Sequence, residues 1–159
     1  MQIVRGLDEQ FARLHERSLR LVQAVPFDKL YWKPEVSGPR TLPLYSCGEH
    51  LLRSAAAVEQ TFGGITVNLW DDPFEWTLPE QLPAPSDVAR YMEEAEATRR
   101  RAFEFFKADA DLAKEIAAPS GEMRTLFALI VETLARAAHH EGRAFAAFRL
   151  FSDARLPRV

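Results

Sequence analysis

"RTLFALIVETLARAAHHEGRAFAAFRLF", residues 124–151, is the stretch that decides the fold. Leu126, Ile130, Thr133, Ala137, His140, Ala144, Phe148 and Phe151 recur at gaps of three and four, one stripe of a long amphipathic helix. The helix is expected to begin near Ser120, where "SGEM" leads in, and to run about 30 residues. His140 lies on the stripe and His139 off it. Consecutive helical residues point about 100° apart, so the two neighbours do not chelate one ion from a regular helix.

Three more helical stripes precede it. Val4, Leu7, Phe11, Leu14, Ser18, Leu21 and Val25 form the first, closed by Pro26. "PFDKLYWKPEVSGPRTLP" follows as an ordered connection. The second helix is expected from about Leu44 to Phe62, with Leu44, Cys47, Leu51, Ser54 and Val58 on one face and the glycines at 63–64 as its stop. Residues 65–85, "ITVNLWDDPFEWTLPEQLPAP", carry no helical stripe and read as a long functional or interface loop. Ser86 is expected to cap the third helix, with Asp87 in its first turn and Val88, Met92, Ala95, Ala102 and Phe106 in phase. No strand pattern is long enough for a sheet. The fold class is therefore all-α: one domain over 1–159, a four-helix bundle with a long crossover connection and a long loop between helices 2 and 3.

Composition bounds the function. The chain has 159 residues, 47% hydrophobic and 27% charged, enough for one real core. A net charge of −3 with no basic run argues against nucleic acid, which needs a cationic face. No apolar stretch approaches the ~20 residues that span a bilayer, and "MQIVRGLDEQFARLHERS" lacks a signal peptide's apolar run. The single cysteine, Cys47, fits a reducing compartment, and a cytoplasmic protein is expected. Cys47 sits on a core stripe and reads as a packed small hydrophobe.

Three stretches carry a resemblance. "LYWKPEV" (30–36), "YSCGEHLLRSAAAVEQTF" (45–62) and "RAAHHEGRAFAAFRLF" (136–151) resemble, in order and spacing, elements of the DinB/YfiT-like superfamily of four-helix-bundle proteins. The resemblance implies a divalent metal held by three histidines, one on the second helix and two on the fourth. Residue by residue those ligand positions fall at Arg53, Arg136 and His140, and the family's glutamine after Gly142 is replaced by Arg143. It also implies a dimer built through helix faces, and an activity of the thiol-dependent S-transferase or metal-dependent hydrolase kind.

Guanidinium stays protonated and offers no lone pair, so Arg53 and Arg136 ligate nothing. No cofactor is expected. The alternative is zinc, nickel or manganese at a shifted site of His50, His140 and a carboxylate such as Glu49. Three functions remain open. In the first, Arg53, Arg136, His140, Arg143 and His50 form a pocket for a small anionic ligand. In the second, a thiol or metal-dependent enzyme uses His140 as general base. In the third, the bundle is a structural or dimerisation module whose arginines are neutralised one turn away, Arg53 by Glu49 and Arg136 by Glu132. The carboxylates discriminate. "WDDPFEW" (70–76) is read as a lid, a dimer contact or a solvated loop, and Gly142 as a close approach of another backbone.

Overall fold

The computed structural model describes residues 1–39, 42–73 and 77–156. Arg40 and Thr41 of the first connection lie outside the described residues, as do Phe74, Glu75 and Trp76 of the 70–76 stretch. Four helices dominate: α1 (Gln2–Ala24), α2 (Cys47–Val67), α3 (Pro85–Phe103) and α4 (Leu126–Phe148). The apolar stripes meet in two clusters. One gathers Phe11, Phe62, Phe103 and Ile130, and the other Leu21, Leu51, Val88 and Phe148.

Those clusters fix the chain direction. Both ends of the chain's order agree: Val4 of α1 lies with Phe103 and Leu126, whereas Leu21 lies with Val88 and Phe148. So α1 and α4 run one way and α2 and α3 the other. α1 packs chiefly on α3 and α4, and α2 on α4 and α3, which puts α1 and α2 at opposite corners. Residues 25–46 therefore cross one end of the bundle, the crossover expected of them. α3 then starts at the end where α2 started, so the described residues of 68–84 connect opposite ends of the bundle. Among the described residues no helix is long and apolar enough to cross a membrane.

Four local expectations are corrected. The second helix does not stop at its glycines but continues to Val67, ending where Asn68 turns left-handed at φ 56°. Gly64 is retained because the Trp70 ring lies where its Cβ would be, and the ~1 kcal/mol cost of helical glycine is accepted for that contact. The third helix starts at Pro85, not after Ser86. Ala84 is the extended residue before it, and its N–H donates to the Asp87 carboxylate at 3.1 Å. The fourth helix starts at Leu126, with Thr125 Oγ1 accepting the Ala128 N–H at 3.2 Å. The residues before it form a short antiparallel ribbon, β1 (Glu115–Ala117) against β2 (Met123–Thr125), so the all-helical reading of this stretch fails. Strands of three residues carry no readable alternation.

Gly142 is exposed, and nothing lies within 4 Å of where its Cβ would be. The expected close approach is absent there, and nothing in the structure explains this glycine. The close approach is at Gly48 instead, whose Cβ would stand 2.7 Å from the Tyr31 ring and 2.9 Å from the Leu30 carbonyl. The Gly48 N–H donates to that same carbonyl at 2.8 Å. This contact ties the "LYWKPEV" segment to the start of α2.

A charged layer lies inside the bundle. Arg99 is 2% exposed, and its Nε and Nη2 each donate to Glu96 at 2.7 Å, while Nη1 meets Asp8 of α1. Glu141 of α4 is likewise buried and receives Arg17 Nη2 at 2.8 Å. Burial opposes ionisation of Glu96, and the Arg99 guanidinium outweighs it, holding the carboxyl below its ordinary range. Breaking such a pair is costly because one charge stays buried alone. Arg99→Met is expected to lower the unfolding free energy by about 3 kcal/mol in urea denaturation, Arg100 being left as a partner for Glu96. Arg99→Met with Glu96→Met should recover much of that loss. A double variant no more stable than the single one would contradict the account.

Candidate functional site

The site begins with a helix cap. Ser46 Oγ accepts the Glu49 N–H at 3.2 Å, and the Glu49 carboxylate accepts the Ser46 N–H at 2.7 Å, satisfying two donors that a helix start leaves open. Lys33 Nζ approaches the same carboxylate at 2.8 Å. These bonds lower the Glu49 pKa against the opposing effect of burial. The cap thereby holds Tyr45 just before α2 and His50 in its first turn.

Across the α2–α4 seam, His50 and His140 face each other with Nδ1 atoms 3.3 Å apart. His50 is buried and His140 half-buried, while His139 is exposed on the neighbouring face, as the periodicity predicts. The His50 pKa falls to about 4, chiefly through burial and then through the charges of Arg143 and Arg53. His140 also falls to about 4, through burial, its histidine neighbours, Arg53 and Arg143. At neutral pH both rings are therefore neutral. One Nδ1 must carry a hydrogen and the other accept it.

Arg53 stacks its guanidinium 3.9 Å from the centre of the Tyr45 ring, and the Tyr45 ring meets His50 edge-on at 5.6 Å. Arg53, His50, His140 and Arg143 thus belong to one neighbourhood. Arg136 does not join it. It lies on the exposed side of α4, with its guanidinium 3.5 Å from Gln60 Oε1. Arg136 and Arg143 lie on the same side of His140 around the helix but seven residues apart, about 10 Å along its axis, and Arg136 lies toward Gln60, farther along α2 than His50. That axial offset separates them.

The carboxylates go elsewhere than the neutralised reading requires. Glu49 serves Ser46 and Lys33, and Glu132 pairs with Arg124 at 3.0 Å. The family's three-histidine set does not fit the residues present. Two of its positions hold guanidinium groups, and the carboxylate closest in sequence to His50 is committed to the helix cap. Among the described residues no group of three histidine, cysteine or carboxylate side chains is arranged to hold a metal ion. Cys47 is fully buried, and burial pushes its thiol up to about 12, which agrees with its reading as a packed hydrophobe.

A groove opens beside the pair. It holds about 310 Å³ and is lined by Trp32, Pro34, Leu44 and Tyr45 from the first connection, His50 from α2, and Arg143, Ala146, Ala147 and Leu150 at the end of α4. Sequence reasoning missed Tyr45 as a site residue. It precedes the helix, so no periodicity points to it, and its place follows from the Ser46 cap. Glu141 was missed as well, although its position beside His140 turns it toward α1 and Arg17.

The fold is DinB-like. A DinB-like protein from Bacillus subtilis, known from its crystal structure, superposes with a TM-score of 0.70 over 96% of both chains at 18% sequence identity. At that identity the likeness speaks for the fold. No family model matches the chain. No curated protein matches it either.

The histidine pair has a pH consequence. Between pH 6.5 and about 4 the unfolded chain takes up protons that folded His50 and His140 refuse, so stability falls as pH falls through that window. Thermal unfolding should show a lower Tm at pH 5 than at pH 7.5. The slope should flatten when His50→Gln and His140→Gln are combined. An unchanged slope in that variant would refute the assignment.

Proposed function

We propose that this protein binds a small anionic ligand at the pocket of His50, His140, Arg53 and Arg143, and does not use the three-histidine metal chemistry that its family resemblance implies. The observation that carries this reading is the His50–His140 contact, with Arg143 beside it in the groove and Arg53 stacked on the adjoining Tyr45. Both arginines disfavour protonation of both histidines, which marks a positive potential at the pair that favours an anion. A cation would add to it.

The tautomers support the same reading. If His140 Nδ1–H donates to His50 Nδ1, the proton of neutral His50 sits on Nε2, where it donates to a ligand in the groove. An anion selects that arrangement without requiring either ring to become charged. General-base catalysis by His140 is disfavoured, because a base works best with a pKa near the operating pH and this ring lies near 4. Glu132 pairs with Arg124, which removes the partner that the structural-module reading gives Arg136.

Calorimetry on chelator-stripped protein tests the proposal, with inorganic phosphate, acetate and zinc titrated separately. Anion binding should weaken about tenfold in Arg143→Met, equivalent to ~1.4 kcal/mol. Zinc should show no micromolar binding. Micromolar zinc affinity lost in His140→Ala would overturn the proposal and favour a metal site through His50.

A further inference from the structure

We propose that the groove beside the histidine pair takes a carboxylate with a short apolar body, an aliphatic or arylalkyl acid, in preference to a bare inorganic anion. The inference rests on the anion-binding reading and extends it from a charge to a molecular shape.

The lining is divided. His50, Arg143 and the Tyr45 hydroxyl are its polar members, and His50 stands against His140. Trp32, Pro34, Leu44, Ala146, Ala147 and Leu150 make the rest of the wall apolar. An inorganic anion satisfies the cationic end and leaves that wall wet. A fatty or aryl acid satisfies both, through a charge-assisted bond at one end and apolar burial along the other. The volume of about 310 Å³ lies at the lower limit of small-molecule pockets, which restricts the body to a short chain or a single ring. Trp32 is held in place, its ring edge-on to Phe151 at 5.8 Å, so the wall is preformed. Leu150 is 62% exposed and stands at the open side.

Charge excludes the larger alternative. The groove between α2 and α3 holds about 590 Å³, but Glu59, Asp71 and Glu104 line it against the single cation Arg101. A carboxylate is repelled there. The smaller groove joins apolar walls to a cationic member, Arg143, with no carboxylate in its lining.

The test is a homologous series on the full chain at fixed ionic strength. Acetate, butyrate, hexanoate and octanoate are titrated by calorimetry beside inorganic phosphate and hexylamine. Affinity should rise about threefold per methylene from butyrate to hexanoate and then level off as the groove fills. Hexylamine should bind at least tenfold more weakly than hexanoate. Ala147→Phe should abolish the dependence on length. Leu150→Asn, at an exposed position and without a new charge, should weaken hexanoate more than phosphate. A flat series with phosphate binding retained would overturn the shape inference and leave the anion site standing. Loss of phosphate binding as well would overturn both. Equal binding of hexylamine would overturn the role given to charge.

Discussion

A line of polar contacts along the α2–α4 seam sets the register on which the site depends. The Ser54 hydroxyl donates to the Ala137 carbonyl at 2.9 Å. Farther along, Thr133 donates to Leu129, so the Thr61 hydroxyl is the one that donates across the seam to Thr133, at 2.7 Å. Buried hydroxyls must find partners, and these partners exist only in one register of the two helices. That register brings His50 opposite His140. A slide of one turn would part the imidazoles and leave the buried Ser54 and Thr61 hydroxyls to find new bonds.

The connection from α1 supplies the other constraint. Gly48 lets the Leu30–Tyr31 backbone lie against α2, and the Ser46–Glu49 cap with Lys33 fastens the next residues. The Tyr31 hydroxyl donates to the Leu82 carbonyl and joins this segment to the return loop. Trp32 and Tyr45 are positioned by these bonds, so the groove wall is a consequence of how the crossover is anchored. The charged layer of Arg99, Glu96 and Asp8 holds α1 to α3 below it. Apolar clusters lie on both sides of that layer.

Much of this was legible in the sequence because helical periodicity reports burial directly. The stripes of α1 and α4 coincide with buried faces, and the opposite exposures of His139 and His140 follow from a 100° turn. What periodicity does not report was lost. The run of α2 through two glycines depends on Trp70, which arrives from the following loop. The ribbon before α4 is too short to show a pattern. Tyr45 lies outside any helix, and the distance between Arg136 and the site depends on how far along α2 each turn of α4 is placed. The partners of Glu49 and Glu132 are Lys33 and Arg124, neither one turn away on the same helix face as the arginines expected.

The central claim is that His50 and His140 form one neutral, hydrogen-bonded pair beneath two arginines. Long-range proton–nitrogen NMR of the histidine rings, followed from pH 8 to pH 3.5, tests it most directly. The account predicts that both rings stay neutral through pH 6, titrate near pH 4, and show one ring protonated at Nδ1 and the other accepting there. Titration of either ring at its ordinary value near 6.5, or independent rings both protonated at Nε2, would contradict it.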